Sequence, residues 1–505
     1  MEMGKKACSS ILWRATSSMR RLSTATVTKT SSSAVKDKET SLYRRLSALG
    51  GSDGKVTDTL NEWVSEGKAV RRFEIIGYIN QLRKYKKYEH AIQLLDWIEK
   101  RGRKLTHGDH AIRIDLLSKV KGVANAEQYF NSLKESSKTK ETYGALLNCY
   151  CQEKMADKVM ALFKEMERLK FVSTLAYKNL MCLRLSLGEH KKVHQLAQEM
   201  KQKNIPRDVF VYNTLMNSYS SLKDIEGVER VMKEMNAEGI QIDWATYANL
   251  ATIYVKAGQF DKANSALTEL EKMDNLRDRE AFLALISLYA QTSNSLGVNR
   301  VWKSLKSAFP KTINSSYLIM LRALSRLGDM DALKKCYEEW ESACSIYDIR
   351  LANVLIDAYL KQGMIKDAEL VGERIKKRGA KPDFRNLEMF MTFYLKNQQP
   401  DLALKYVDIA ASNVKAEKSD WKLSQETLNL FLKCFEEKKN VDGVEKFYNS
   451  LKQVDCVNTK LYDSLLRTYI AAGRIDSQMH KRIKDDGIEM SSETKKLLER
   501  VCCPS

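Results

Sequence analysis

A chain of 505 residues with a formal net charge of +20 is too long for one compact core, because single cores stop growing at roughly 250–300 residues. Hydrophobic residues make up 44% of the sequence, but they form no uninterrupted apolar run of ~18 residues, so a membrane span is not expected. The basic excess favours a polyanionic partner, chiefly nucleic acid or an anionic membrane.

The first 40 residues differ in composition from the rest of the chain. Residues 1–36 contain seven Lys or Arg residues against one acid, Glu2. A basic segment that is rich in Ser and poor in acids is typical of an organelle transit peptide. The cluster Arg20–Ser23 resembles a site for the mitochondrial processing peptidase. We therefore predict a disordered transit peptide at 1–40 that directs the protein to the mitochondrion, with the chloroplast as the alternative.

An aromatic residue recurs with nearly constant spacing after a predicted linker and N-terminal capping helix at 41–71. Five of the six aromatics begin an apolar pattern at offsets of three, four and seven, which places one apolar stripe on one face of a helix. A Gly often follows, and it can adopt the left-handed conformation that ends a helix. The aromatic residues, separated by 34, 35, 35, 35 and 35 positions, are Tyr143, Tyr177, Tyr212, Tyr247, Phe282 and Tyr317.

The repeated unit is therefore a helix, a tight turn, a second helix and a short loop. One such hairpin cannot bury its apolar face alone, but stacked hairpins bury each other's faces. The predicted fold is all-α: a right-handed superhelical solenoid of helix-turn-helix repeats over 72–490, best defined over 140–383, with a C-terminal tail at 491–505. The twelve predicted repeats, numbered here 1 to 12, are 72–106, 107–139, 140–173, 174–208, 209–243, 244–278, 279–313, 314–348, 349–383, 384–424, 425–458 and 459–490.

The residues within the repeat distinguish two families that share this period. Tetratricopeptide repeats pack small residues where their helices touch, whereas the eighth residue here is bulky, as at Met216. Segments such as Val209–Met216 and Val231–Met235, closing with Gly239–Asp243, resemble the pentatricopeptide repeat family of plant organelles. The prevailing 35-residue spacing is similar to that of its P-type class.

The resemblance implies that each repeat can hold one base of single-stranded RNA between its fifth and last residues. It implies base-facing pairs Asn213 with Asp243 and Asn353 with Asp383, which would prefer a pyrimidine, mostly U. Ala248 and Asp278 occupy the same two positions, and the second-position residues Phe210 and Leu175 would wedge between bases. Base reading is expected at only a few positions, because the fifth residues elsewhere are Gly144, Lys178, Leu283, Leu318 and Glu388.

The thirteenth residue of six repeats is basic, late on the first helix. Recurrence at one phase would align these charges along one edge of the solenoid, where they could contact RNA phosphates. Alternatively, they are solvated side chains near helix C-termini, where the helix dipole favours cations. The six residues are Lys84, Lys119, Lys256, Arg326, Lys361 and Lys396.

The sequence contains no motif that indicates an enzyme. His190 and His194 lie four residues apart but lack an HExxH pattern and an acidic partner in metal geometry, so no metal and no cofactor are expected. We predict a monomeric mitochondrial protein that binds single-stranded RNA and acts by occupancy in RNA stabilisation, processing or translation, with ribosomal or RNA-processing proteins as further partners. The alternative is a protein-interaction scaffold, such as a subunit associated with the mitochondrial ribosome, because Leu283 and Leu318 suit a protein surface better than a base edge.

Overall fold

The computed structural model describes residues 42–49, 56–273, 277–380, 382–417 and 421–502. Every regular element in these ranges is a helix, which confirms the all-α class. The predicted transit peptide lies outside the described residues. The chain divides into two units, Met1–Asp274 and Asn275–Ser505.

The first unit contains six helical hairpins, one in each of repeats 1 to 6. Two helices, Leu42–Ala48 and Val56–Ser65, precede them, and a 3-10 turn, Glu135–Ser137, follows the second hairpin. The first helices of the hairpins are Arg72–Lys84, His107–Lys121, Lys140–Gln152, Thr174–Ser186, Val209–Ser221 and Trp244–Lys256. The second helices are Tyr88–Lys100, Val123–Ser132, Ala156–Arg168, His190–Gln202, Ile225–Ala237 and Phe260–Glu271.

The second unit contains the hairpins of repeats 7 to 12. Their first helices are Arg279–Gln291, Asn314–Leu327, Ile349–Lys361, Phe384–Lys396, Gln425–Lys438 and Thr459–Ala472. Their second helices are Ser295–Ala308, Met330–Ala343, Ile365–Lys377, Pro400–Glu417, Val441–Lys452 and Met479–Asp485.

The segment expected to be a C-terminal tail instead contains a helix, Ser492–Cys502. This helix packs against the first helix of repeat 12, Thr459–Ala472. Leu498 and Val501, three residues apart and therefore on one helical face, are both buried. The helix covers apolar surface that the last repeat would otherwise expose.

Each unit is built as two layers of helices. The first helices of successive repeats pack side by side, from repeat 2 to repeat 6 in the first unit and from repeat 7 to repeat 12 in the second. In repeats 1 to 11 the second helix packs against the first helix of its own repeat, and several second helices also contact the next first helix. The helix-turn-helix repeat predicted from the 35-residue spacing is therefore confirmed.

The core lies between these two layers. In repeat 5, Met216 on the first helix and Val228 and Met235 on the second are fully buried. The fourth-position aromatics Tyr177 and Tyr212 are also fully buried, and the Tyr177 hydroxyl donates a hydrogen bond of 2.7 Å to Glu199 on the second helix. Tyr177 and Tyr212 therefore belong to the core and provide no platform for bases, whereas Tyr247 is half-buried.

Ionisation of Tyr177 is expected to weaken the fold at high pH. Burial, followed by the hydrogen bond to Glu199, raises the pKa of Tyr177 to about 12. Because the folded-state pKa lies above the ordinary value of about 10, the stabilisation is complete below pH ~10 and is lost as pH rises towards ~12. The stability difference between the natural protein and Tyr177→Phe should fall by up to about 1.4 kcal/mol per pH unit over that window. Urea unfolding at a series of pH values measures it, and a constant difference would contradict the expectation.

The turn between the two helices places the fifteenth residue in the left-handed region. Gly258 and Gly363 have φ values of +73° and +74°, as predicted from their position. Repeats without Gly adopt the same turn: Lys154 has a φ of +56° and Lys223 a φ of +60°. A residue with a Cβ is strained in this conformation, so these repeats carry a local cost that the packing of the two helices offsets.

Lys154→Gly is therefore expected to stabilise the protein by about 0.5–1 kcal/mol, because Gly adopts the left-handed conformation without the Cβ clash. The midpoint of urea unfolding measures the effect. Lys154→Ala is the control, since it removes the charged side chain but keeps the Cβ. If Ala stabilises as much as Gly, the gain comes from the lost charge and the strain argument is wrong.

Candidate nucleic-acid interface

The Asp residues that end their repeats begin the first helix of the next repeat as N-caps. Asp243 accepts a hydrogen bond of 2.8 Å from the backbone N–H of Thr246, and Asp383 accepts one of 2.8 Å from that of Asn386. Such caps satisfy backbone donors that the helix leaves unpaired. Three further Asp residues cap the next helix in the same way: Asp208, Asp278 and Asp348.

The pair Asn353 and Asp383 is in direct contact. The Asn353 amide Nδ2 donates to Asp383 Oδ1 and Oδ2, each at 3.1 Å, and Asn353 Oδ1 accepts from Asn386 Nδ2 at 3.0 Å. Asn353 is 6% exposed, so its amide is bonded within the protein. A carboxylate oxygen can accept two hydrogen bonds, and Asp383 Oδ2 therefore keeps capacity for a donor from outside, such as the N–H of a base.

The pair Asn213 and Asp243 is connected through a third residue. Asn213 Nδ2 donates to the Thr246 hydroxyl at 3.0 Å, and that hydroxyl donates to Asp243 Oδ1 at 2.8 Å. Thr246 and Asn386 are both the third residue of the following repeat, and both hold the preceding Asn in place. Neither residue was predicted from the sequence, although the sequence shows that the third residue of repeats 6 and 10 is polar.

Asn353→Ala is expected to lower the free energy of unfolding by about 1–3 kcal/mol, because it leaves the buried Asn386 amide without its acceptor. The buried network therefore adds a structural cost to any loss of base preference. Asn217→Ala is a suitable control, because Asn217 is half-buried with no side-chain hydrogen bond to a described residue; its change should stay within about 0.5 kcal/mol. Urea unfolding of both variants decides whether the network stabilises the repeat.

Other fifth-position side chains lie within the first-helix layer. Ala248, Leu283 and Leu318 are each 7% exposed. They therefore present little surface to a base, and Leu283 and Leu318 are equally unavailable as the protein-docking surface that the sequence suggested. Asp278, paired with Ala248 by position, caps its helix through a 3.1 Å hydrogen bond from the Glu280 backbone N–H.

The two predicted wedge residues are accessible to different degrees. Leu175 is exposed and Phe210 is half-buried, with Lys178 Nζ 5.2 Å from the centre of the Phe210 ring. Lys178 also forms an ion pair with Asp208. A third residue at the same position, Phe73 in repeat 1, is 68% exposed and was missed. The signal that could have identified Phe73 is its position as the second residue of repeat 1.

The six basic thirteenth-position residues fall into two groups. Lys119 pairs with Asp115 at 2.8 Å and Lys361 with Asp357 at 2.6 Å, each with the acid four residues earlier on the same helix. The other four are exposed and form no ion pair with any residue that the structure describes: Lys84, Lys256, Arg326 and Lys396. No described carboxylate balances the charge of these four residues.

The described part of the chain contains no cluster of metal ligands and no membrane-spanning helix. His194 is half-buried and stacks on Tyr219 with ring centres 3.9 Å apart, and burial, followed by the neighbouring His190, lowers the pKa of His194. Within the described ranges, no cluster of three or more His, Cys, Asp or Glu residues could hold a metal ion. None of the described helices combines the length and apolar character that crossing a membrane requires.

Comparisons with known proteins place these repeats in a family. The model for the PPR repeat matches 141–171, 315–344 and 351–379, that for the PPR repeat family matches 207–252, and that for the pentatricopeptide repeat domain matches 230–275. A pentatricopeptide repeat-containing protein of Arabidopsis thaliana, named as mitochondrial, is 42% identical over 468 residues, which cover 92% of this chain and 93% of that protein. The chain belongs to the pentatricopeptide repeat family.

Further similarities lie within the pentatricopeptide repeat family. The large ribosomal subunit protein mL101 of Arabidopsis thaliana, also named rPPR4, is 39% identical over 466 residues, covering 92% of this chain and 95% of its own length. Among solved structures, the pentatricopeptide repeat protein PPR10 in complex with an 18-nt psaJ RNA element is 16% identical with a TM-score of 0.42, and the match covers 92% of this chain and 72% of that one. The relative that is 42% identical confirms the predicted family, and the P-type class stays a prediction.

Proposed function

We propose that this pentatricopeptide repeat protein binds single-stranded RNA and acts by occupying it, without making or breaking a covalent bond. The observation that carries the proposal is the set of four exposed, unpaired cations at the thirteenth position of the repeat: Lys84, Lys256, Arg326 and Lys396. Cations at a fixed phase of a helical repeat suit the regular spacing of backbone phosphates. A bound segment is protected from exonucleases, held unfolded, or presented to processing or translation machinery.

Backbone contacts dominate this mode of binding, and base reading is confined to a few repeats. The burial of Ala248, Leu283 and Leu318 removes three fifth positions from contact with a base. The pair Asn353 and Asp383 retains an acceptor on Asp383 Oδ2 for the N–H of a uracil. We therefore expect the protein to bind many RNA sequences, with a modest base preference at two positions.

The site of action in this proposal is the mitochondrion. Two features support it: the basic, Ser-rich segment at 1–40 and a relative, 42% identical, that is named as mitochondrial. Import of a fluorescent fusion of the full chain, compared with one that begins after residue 40, tests the location. Loss of mitochondrial signal is expected only for the shortened fusion, and a chloroplast signal from the full chain would contradict the assignment.

Electrophoretic mobility shift of the chain without its first 40 residues tests the RNA binding. Labelled organelle transcripts are titrated at about 50 and 200 mM salt. Four phosphate contacts on a single strand predict an affinity about 50-fold lower at the higher salt. Binding no tighter than that of a neutral control protein would contradict the proposal.

A second candidate function is a subunit of the mitochondrial ribosome. The similarity to mL101, 39% identical over nearly the full length of both chains, favours it. A ribosomal subunit would co-sediment with the large ribosomal subunit after exposed RNA has been digested with RNase. A protein that occupies free transcripts would leave those fractions after the same treatment.

A further inference from the structure

Three arginines lie on the adjacent first helices of repeats 8, 9 and 10. Arg322 is the ninth residue of repeat 8, and Arg350 and Arg385 are the second residues of repeats 9 and 10. The three helices, Asn314–Leu327, Ile349–Lys361 and Phe384–Lys396, pack side by side in that order. The second and ninth positions are seven residues apart, which is two helical turns, so they share one face of the helix.

The charges of these arginines are poorly balanced by the protein. Arg322 and Arg385 are exposed, and neither forms an ion pair or side-chain hydrogen bond with a described residue. Arg350 is the only one of the three with a carboxylate partner, since its Nε donates to Asp348 Oδ1 at 2.9 Å. One carboxylate therefore accompanies three guanidinium groups.

Arg322 is the member most affected by its surroundings. Although the Arg322 side chain is exposed, its neighbours shield part of it from water. This desolvation, followed by the positive charges of Arg385 and then Arg350, lowers the pKa of Arg322 below its usual range. Like charges that share a partly desolvated site destabilise the protein unless a counter-charge is supplied. A bound anion would remove that repulsion, and such perturbed groups concentrate at functional sites.

The chemistry of the three side chains indicates which kind of anion would bind. A guanidinium is a planar fork of donors that matches two oxygens of a phosphate group. Arg350 and Arg385 begin the two helices that carry Asn353 and the Asp383 cap, so the basic cluster borders the Asn353–Asp383 pair. Asp383 Oδ2 can accept the N–H of a base, which suits a ligand that has both a base and a phosphate.

We propose that Arg322, Arg350 and Arg385 form a phosphate-binding site whose ligand is the backbone of single-stranded RNA. This inference rests on the proposed RNA-binding function and deepens it. The site differs from the thirteenth-position cations, because it lies at the second and ninth positions of three consecutive repeats. It anchors RNA to the second unit whatever the base sequence.

Fluorescence anisotropy with a labelled uridine-rich oligoribonucleotide tests the site in the full chain. Arg322→Gln and Arg385→Gln should each weaken binding about fivefold at about 0.1 M salt, and the double variant about 25-fold, with the slope of log affinity against log salt reduced by about 1.4. Lys335→Gln is the matched control. Lys335 is exposed on the second helix of repeat 8 and makes the same change of charge, so its affinity should change less than twofold.

Two additional measurements separate the possible outcomes. Without RNA, Arg322→Gln should unfold at the same temperature as the natural protein or higher, because it removes repulsion; a lower Tm would indicate a structural role and overturn the proposal. Inorganic phosphate at millimolar concentration should compete only weakly with RNA. If inorganic phosphate binds at these arginines and the double variant keeps its RNA affinity, the ligand of the site is a free oxyanion and not RNA.

The failure of this inference differs from the failure of the proposed function. If the natural protein binds RNA with the expected salt dependence and the double variant binds equally well, the arginine site is wrong and RNA binding stands. If the natural protein binds no RNA, both are wrong.

Discussion

Replacing Lys256, Arg326 and Lys396 together with Gln is expected to lower the affinity for single-stranded RNA by about 100-fold at about 0.1 M salt. These side chains are exposed and form no ion pair with the described residues, so each can neutralise a phosphate and release a counterion. The slope of log affinity against log salt should decrease in magnitude by about 2, and the loss should be similar for all RNA sequences. Anisotropy titrations at several salt concentrations measure both quantities.

A control with the same change in net charge separates position from charge. Lys201, Lys262 and Lys306 lie on second helices and form ion pairs with Glu234 at 3.1 Å, Glu229 at 2.7 Å and Glu339 at 3.2 Å. Their triple replacement with Gln should change RNA affinity less than about threefold, since their charges are already neutralised. The exposed pairs contribute little stability, so the fold should persist. An equal loss of affinity in both triple variants would show that net charge alone determines binding.

Trp340→Ala should lower the free energy of unfolding by about 3–5 kcal/mol. Trp340, on the second helix of repeat 8, is 1% exposed, and its Nε1–H donates to Asn314 Oδ1 at 2.9 Å. Its ring centre lies 5.4 Å from that of Tyr337 and 5.2 Å from that of Tyr347. Truncation removes a large apolar side chain, leaves a cavity and strands a hydrogen-bond acceptor. Urea unfolding of the full chain, followed by far-UV circular dichroism, measures the loss.

Trp340→Phe is the matched variant for this cavity. It keeps an aromatic ring in the cluster but removes the Nε1–H donor and part of the buried area, so we expect a smaller loss of about 1–2 kcal/mol. A loss below about 1 kcal/mol for Trp340→Ala would contradict the close packing around Trp340 within repeat 8.

The hairpin architecture could be predicted because its causes are local. An aromatic that recurs every 34 or 35 residues, with apolar residues three, four and seven positions later, specifies a helix with one buried face. The left-handed Gly258 followed from its place after that helix. Lys154 was not expected there, because intrinsic preference disfavours a non-Gly residue with positive φ and packing overrides that preference. The short helix Ser492–Cys502 was missed because it follows the last repeat and lacks the aromatic residue that marks the repeat helices.

Some properties of the basic residues were visible in the sequence, and others were not. Lys361 has an acid four residues earlier, Asp357, and that spacing predicts the ion pair that the structure shows. Arg322 and Arg385 are 63 residues apart in the chain, since 385 − 322 = 63. Their electrostatic interaction arises only because the first helices of repeats 8, 9 and 10 pack in sequence. No local pattern reports such a contact.

The sequence by itself determined the repeat, the family and the residue types at each position, since these depend on a period along the chain. Tertiary structure decided which of those residues a ligand can reach. It buries Leu283 and Leu318, holds Asn353 between Asp383 and Asn386, and leaves Lys256 exposed. The physical reason is that exposure and hydrogen bonding depend on the neighbouring repeat, whereas helical periodicity depends on the chain's own next turn.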